Sequence, residues 1–162
     1  MMTVKTHITF RDFWSFYLKS SLIRFFGLPI IALIFFILKN FMETYERDIF
    51  ENASIWLIIL WAFMTIRGYF NIKKVFYSDK KIQENISYTF VGDKIITEGE
   101  TFENDFHWNT VSRVKELKDW FLIYHSLQTM NMVPKKYFAK DQVSELRSII
   151  KNNGVKAKLR ND

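Results

Sequence analysis

Residues 25–38 read FFGLPIIALIFFIL, and residues 52–66 read NASIWLIILWAFMTI. Neither stretch has a polar stripe at helical spacing, which is typical of helices that are apolar on all sides. Eleven of the 14 residues in the first stretch are Phe, Leu or Ile, and their insertion into a bilayer is favourable by about 3–7 kcal/mol. The alternative is two buried helices of a soluble protein, but a domain this small cannot easily surround them. The sequence therefore predicts a two-helix transmembrane hairpin over residues 21–72.

The first stretch is short for a membrane span. A helix of this length covers about 21 Å, whereas the hydrocarbon core of a bilayer is about 30 Å thick. We therefore expect the helix to continue past Arg24 and Lys39, whose long side chains can reach the interface. Pro29 is expected near the start of the helix, where its missing N–H costs least.

The distribution of charge predicts the orientation of the hairpin. Basic residues precede the first stretch, and acidic residues dominate the connector at 40–51. The second stretch is followed by four lysines, Lys73, Lys74, Lys80 and Lys81. By the positive-inside rule, the chain is a multi-pass protein of the cell membrane with both termini in the cytoplasm. These lysines either only fix the topology or also attract anionic lipid headgroups, at about 1 kcal/mol per charge.

The remaining composition limits the chemistry. The net charge of +6 suits an anionic membrane surface or nucleic acid, and membrane attachment favours the first, so no nucleic-acid partner is expected. The chain has no cysteine, which excludes disulfides and thiolate nucleophiles. No catalytic or phosphate-binding motif occurs, so we expect neither an enzyme nor a cofactor. Glu103, Asp105 and His107 share one strand face, but a solvated polar face is preferred there over a metal site.

Residues 1–20 predict a strand followed by an aromatic, amphipathic helix. TVKTHITF at 3–10 alternates with the period of a strand. Thr9 and Asp12 have the spacing of a capping box for a helix that begins near Phe10. The strand either belongs to this leader or pairs with the later β domain. The helix either lies in the membrane interface or leads directly into the first span.

Residues 81–153 predict a small antiparallel β domain that is closed by a helix. Short alternating segments with turn signals lie at 86–91, 94–97, 102–108, 111–117, 120–125 and 130–134. The helix is expected to begin at Asp141 and to end at Gly154. Residues 154–162 form a basic tail that we expect to be loose. The predicted fold class is therefore α+β.

The segment WNTVSRVKELKDWFLIYHSLQTMNMVPKKYF at 108–138 resembles the YcxB-like family of bacterial membrane proteins. Members of the family show a Trp followed by a branched residue, then an aromatic-rich strand, then an apolar-Pro-Lys/Arg turn into a helix. The matching residues are Trp108, Val111, Val114, Phe121, Leu122, Tyr124, Val133, Pro134, Lys135 and Phe138. The order of leader, two spans and domain also matches. The resemblance implies a half-barrel similar to pleckstrin-homology (PH) and GRAM domains on the cytoplasmic side, but no reaction.

These observations predict a non-enzymatic, membrane-anchored binding or regulatory module. Its candidate contacts with anionic lipid or with a membrane-protein partner are Lys73, Lys74, Lys80, Lys81, Trp120, Lys135 and Lys136. Trp108 is expected in the core, whereas Trp120 directly follows a turn and is expected to be exposed. The alternative function is an accessory or immunity-type membrane subunit that acts through its helices. A homo-oligomer, with a second copy of the chain as partner, is also open.

Overall fold

The chain folds into two compact units in a computed structural model that describes residues 1–161, with only the backbone described at 23 and 24. The β unit comprises Met1–Ile8 and the chain from Lys81 onward, and the helical unit comprises Thr9–Lys80. Helices and largely antiparallel sheets occur together, which confirms the α+β class. The first strand belongs to the β unit and not to a separate leader of residues 1–20.

Three α-helices build the helical unit. They are α1 (Phe10–Ser20), α2 (Leu22–Leu38) and α3 (Thr44–Ser78), and a 3-10 turn at Lys39–Phe41 follows α2. Thr9 Oγ1 accepts the backbone N–H of Asp12, and the Asp12 carboxylate accepts the N–H of Thr9, so the predicted capping box is confirmed.

The connector between the two apolar stretches is shorter than predicted. The acidic segment expected as a loop at 40–51 is mostly the first part of α3, which begins at Thr44. Glu46 lies in the first turn of α3, where the positive end of the helix dipole favours a carboxylate. Acidic residues therefore lengthen the helix instead of interrupting it.

Apolar side chains cover both long helices, and most of them are exposed. Among the helices of residues 1–161, α3 alone is long and apolar enough to cross a membrane, and its most apolar window is almost wholly exposed. The 17-residue α2 contributes to a second span only if Phe10–Ser20 and Phe25–Phe41 are taken as one segment bent by 51°. Exposed side chains include Ile30, Leu33, Phe36, Ile37, Ile55, Trp56, Ile59, Phe63, Ile66 and Phe70. A core helix of a soluble protein would bury such residues.

Pro29 lies in the interior of α2 and not near its start, because the helix already begins at Leu22. A proline at this position cannot donate a hydrogen bond to the carbonyl of Phe25, four residues earlier. The indole Nε1–H of Trp61, on α3, donates to that carbonyl at 2.8 Å. The Trp61 ring also meets the Phe25 ring edge-on, with 5.5 Å between centroids. A contact between helices thus replaces the bond that proline removes.

The β unit contains two four-stranded sheets. The first has the order β1-β2-β3-β4, with β1 Met2–His7, β2 Asn85–Phe90, β3 Lys94–Glu98 and β4 Glu103–His107. The second has the order β7-β6-β5-β8, with β5 Arg113–Glu116, β6 Trp120–Tyr124, β7 Met130–Pro134 and β8 Ala157–Lys158. A short helix, α4 (Lys80–Gln83), precedes β2, and α5 (Gln142–Asn152) follows β7. Both β4 and β7 are therefore edge strands.

The N-terminal strand pairs with the β domain, which was one of the two alternatives for it. The antiparallel register runs from Met2 opposite Phe90 to His7 opposite Asn85. Even-numbered residues of β1 are buried and odd-numbered ones are exposed, as the alternation predicts.

The core of the β unit lies between the sheets and α5. Trp108 is buried in it with Phe90, Phe121 and Leu146, so the predicted core position of Trp108 is confirmed. Trp120 is only 6% exposed, and its predicted exposure is wrong. Although this residue follows a turn, it opens β6, which has a strand on both sides.

Helix α5 begins and ends where the sequence predicts. Asp141 occupies its N-cap position, but the side chain makes no capping hydrogen bond. Gly154 follows the helix with φ of 63°, a left-handed conformation that glycine adopts without strain.

The basic tail is not loose. Ala157–Lys158 forms β8, parallel to β5, and Val155 and Leu159 pack against the core. Val155, Ala157 and Leu159 alternate with polar residues, which is the period of a strand. The high charge of the segment masked this pattern.

Gly99, between β3 and β4, has no room for a side chain. A Cβ atom there would lie 2.4 Å from the Phe102 ring and 2.6 Å from Glu84 Oε2. We expect Gly99→Ala to lower the free energy of unfolding by about 1–3 kcal/mol, because these neighbours must move. Chemical denaturation of the full chain in detergent measures this. Gly92→Ala is the control, since nothing lies within 4 Å of its Cβ position; equal losses in both variants would contradict the expectation.

Candidate functional site

An open cleft of about 330 Å³ lies beside the edge strand β4 of the β unit. Its walls come from β3, β4, β7 and the turn before β7. The lining residues are Thr97, Phe102, Asn104, Asp105, Phe106, His125, Thr129 and Asn131. Because β4 and β7 are the edge strands of the two sheets, the cleft marks the place where the sheets separate.

The cleft contains a buried polar side chain, Thr97, whose hydrogen-bonding capacity is not satisfied. Its side chain lines the cleft and the residue is only 3% exposed, yet Oγ1 has no hydrogen-bond partner among the side chains and backbone of residues 1–161. A buried polar group without a partner costs about 1–3 kcal/mol. Thr6, which is equally buried in the same sheet, donates its hydroxyl to the carbonyl of Ile86 at 3.1 Å. The cost at Thr97 would be removed by a group that enters the cleft.

His125 adds a neutral donor and acceptor to the cleft. Its ring meets Phe106 edge-on with 4.2 Å between centroids. Burial lowers the pKa of His125 below its ordinary value, because desolvation disfavours the charged form. The imidazole is therefore uncharged at neutral pH, with one donor and one acceptor nitrogen. With the amides of Asn104 and Asn131, it makes the inner wall uncharged and polar.

The face of the first sheet beside the cleft carries Glu98, Glu103 and Asp105, of which Asp105 lines the cleft. On β4, Glu103 lies directly opposite Glu98 of β3, and like charges in this position are unfavourable. Asp105 makes an ion pair with Lys94, with 3.2 Å between Nζ and Oδ2. A site of this charge does not suit phosphate or another anion.

Neither metal binding nor catalysis has support in this region. The described part of the chain contains no group of three or more His, Asp or Glu side chains that could hold a metal ion. His107 lies 3.6 Å from Asp93 and apart from the two carboxylates of its own strand that the sequence suggested as co-ligands. The arrangement can hydrogen-bond a ligand.

A second polar cluster is buried around Glu116, whose side chain is 0% exposed. Arg147 donates to it from Nε at 2.9 Å and from Nη2 at 2.6 Å. Lys135 forms an ion pair with the same carboxylate, and the backbone N–H of Arg160 donates to it at 3.0 Å. Burial raises the pKa of Glu116, but hydrogen bonds from Arg147 and Lys135 outweigh this, and the pKa lies below its ordinary value. The cluster joins β5, α5 and the C-terminal segment, which is a structural role.

The candidate contact residues from the sequence fall into separate places. Four are exposed, two on α3 and two in α4: Lys73, Lys74, Lys80 and Lys81. Lys135 is held by Glu116, and Lys136 lies over the Tyr137 ring at 5.0 Å from its centroid. Trp120 is buried. The predicted patch around Lys135 therefore does not consist of free charges.

Sequence reasoning missed the cleft because none of its residues forms a motif. One signal was present. Thr97 shares the inward face of β3 with Ile95, so a polar residue occupies a core position in an otherwise regular alternation.

Comparison with known families identifies part of the β unit. Residues 91–150 match the family model described as YcxB-like protein. This segment is similar to the YcxB-like family. The match confirms the resemblance seen at 108–138, and it includes the cleft as well as Glu116 and Arg147. The Lys of the family's Pro-Lys turn is Lys135, which here pairs with Glu116 inside the YcxB-like segment. Comparison with curated proteins and with solved structures found no match.

Proposed function

We propose that this protein is anchored in the cell membrane by a transmembrane hairpin of α2 and α3 and carries a non-enzymatic binding domain in the cytoplasm. The observation that carries the proposal is the exposure of apolar side chains around both helices. In water this surface would be strongly unfavourable, whereas a hydrocarbon environment stabilises it. The lipid bilayer is thus the first partner.

The contacts between α2 and α3 support the hairpin. Phe35 meets Phe50 near the turn, with 5.3 Å between ring centroids, and Phe25 meets Trp61 farther from it. The helices are therefore antiparallel. Lys39 makes an ion pair with Glu51 at 3.0 Å, which reduces the cost of a charge at the apolar end of α2.

The proposed orientation and domain type rest on charge and strand order. The four exposed lysines that follow the second apolar stretch favour a cytoplasmic location for the β unit, by the positive-inside rule. Two antiparallel meanders followed by α5 suit the PH-like half-barrel that the YcxB-like resemblance implies. The cleft beside β4 supports a binding role.

An accessory subunit that acts through its helices is the weaker proposal. Small residues would have to be available at the surface of the helices for a partner helix. Ala32 and Ser54, two of the small residues in the apolar stretches, are buried and line a common groove within the helical unit. These two small residues pack inside the hairpin, so fewer small residues are available for contact with a helix of a second chain.

Single introduced cysteines test the proposed topology, because the chain has no cysteine of its own. Glu46→Cys lies at the proposed outer end of α3, and Lys118→Cys lies in the turn between β5 and β6. We expect a membrane-impermeant maleimide to label the Glu46→Cys variant in intact cells and the Lys118→Cys variant only after lysis. Equal labelling of both variants in detergent is the control. The proposal fails if intact cells give the reverse pattern, or if alkaline carbonate releases the chain from the membrane.

A further inference from the structure

We propose that β4 binds a basic, extended peptide segment of a partner protein, which adds to the first sheet as a fifth strand and places alternate side chains in the cleft. This inference rests on the proposed binding function and names its partner class. Two features of the β unit support it: an unpaired strand edge, and exposed carboxylates on β4 and on the neighbouring end of β3.

The hydrogen-bond pattern between β3 and β4 shows which backbone groups of β4 point away from β3 and are available to another strand. Backbone bonds at both ends of the hairpin join Trp108 to Asp93 at 3.1 Å and Gly99 to Phe102 at 2.8 Å. In an antiparallel pair such bonds recur at every second residue. The residues of β4 whose N–H and C=O groups point away from β3 are therefore Glu103, Asp105 and His107. No strand within residues 1–161 pairs with this side of β4, so it can accept another strand.

The charge of β4 selects a basic partner. An added strand directs every second side chain to the face that carries Glu103 and Asp105, and Lys or Arg at those positions would relieve the repulsion between Glu103 and Glu98. A second copy of the chain does not fit. The antiparallel register that pairs the whole of β4 with a copy of itself places Asp105 opposite Asp105, which is unfavourable.

The inner wall of the cleft selects small polar side chains. Thr97 Oγ1 lacks a partner, and Asn104, Asn131 and His125 are uncharged groups that both donate and accept hydrogen bonds. A Thr, Ser or Asn side chain on the added strand lies beside Asn104 and can exchange hydrogen bonds with it, whereas Thr97 is one strand farther away. An anionic lipid headgroup is disfavoured, because the cleft has a carboxylate and no cationic side chain among its lining residues.

The direct test uses two labelled heptapeptides, KTKNKTK and its charge-reversed form ETENETE. The full chain is placed in nanodiscs of zwitterionic lipid, so that lysines do not bind the bilayer. We expect fluorescence anisotropy to show binding of the first peptide at least about tenfold tighter than the second, since opposite-charge pairs replace like-charge ones. Hydrogen exchange in the segment of β4 is expected to slow when the first peptide binds. The inference is wrong if ETENETE or inorganic phosphate binds equally well, or if β4 gains no protection.

Two variants separate binding from folding. Glu103→Gln removes one charge at the exposed edge and is expected to leave the melting temperature unchanged or higher, because Glu98 lies opposite, while it weakens KTKNKTK binding by about fivefold. Thr6→Val removes a hydroxyl that is already bonded, so it is expected to lower the melting temperature and leave peptide affinity unchanged. The opposite outcome would overturn the role of Glu103. If the peptide does not bind but the cysteine labelling gives the expected pattern, this inference is wrong and the proposed membrane anchor is unaffected.

Discussion

Replacement of Glu116 by glutamine is expected to lower the free energy of unfolding by about 3 kcal/mol, near the lower end for a broken buried ion pair. The glutamine is nearly isosteric, so the change removes charge and little volume. It removes the carboxylate charge that Arg147 and Lys135 share, at side-chain exposures of 18% and 14%. Because both cations keep some contact with water, the loss is expected to be smaller than for wholly buried partners.

Chemical denaturation of the full chain in detergent, followed by tryptophan fluorescence, measures the effect. Glu145→Gln is the matched control, because Glu145 is exposed on α5 and its loss costs only a few tenths of a kcal/mol, from the helix dipole. Losses of the same size in both variants would mean that Glu116 contributes no more than a surface carboxylate.

The pH dependence gives a second readout of Glu116. Its pKa is lowered in the folded state from an ordinary value of 4.5. The stabilisation is therefore fully present above about pH 4.5 and is lost as the pH falls through the folded pKa. Glu84, whose pKa is lowered chiefly by a hydrogen bond from the Thr101 hydroxyl, acts in the same direction. We expect Glu116→Gln to flatten the acid limb of the stability curve in part, and an unchanged limb would contradict this.

The strands of the β unit except β8 could be predicted because their signal is local. Residues such as Tyr88 and Phe90 alternate with polar neighbours, and the burial of every second side chain fixes the strand face without knowledge of the partner strand. The family resemblance at 108–138 rested on the same kind of local pattern. The helix ends at Phe10 and Gly154 were also set by adjacent residues, through a capping box and a left-handed glycine.

Features that depend on distant residues could not be predicted. Glu116 stands in the strand RVKE, where a carboxylate suggests a solvated face. Its partners Arg147 and Arg160 lie 31 and 44 residues away, so only the folded chain shows that the charge is buried. Trp120 was misplaced for the same reason, since a turn before it says nothing about the strands on its two sides. Thr97 gave a local hint, but the cleft beside it is formed by the turn between β6 and β7.

Trp61→Phe is expected to destabilise the helical unit, and the loss is expected to shrink when Pro29 is also replaced by alanine. Trp61 Nε1 satisfies the Phe25 carbonyl that Pro29 leaves without its helical donor. In the proposed hydrocarbon environment no water can take that place, so the loss in the presence of Pro29 is expected to be about 1–3 kcal/mol. With Pro29→Ala, the new alanine N–H bonds to the Phe25 carbonyl, and the indole donor is no longer required.

A double-mutant cycle isolates this hydrogen bond from the other contacts of Trp61. The edge-on contact with the Phe25 ring is lost or kept equally in both backgrounds, so it cancels, and the coupling of about 1 kcal/mol reports the shared carbonyl. Titration of the full chain with denaturing detergent supplies the four unfolding free energies. Trp56→Phe is the control, because Trp56 is 68% exposed and should show no coupling to Pro29. If Trp61→Phe lowers the unfolding free energy by the same amount with proline and with alanine at position 29, ring packing alone holds Trp61 in place. Another group then donates a hydrogen bond to the carbonyl of Phe25. If the coupling is present, α2 tolerates an interior proline because α3 supplies the missing donor.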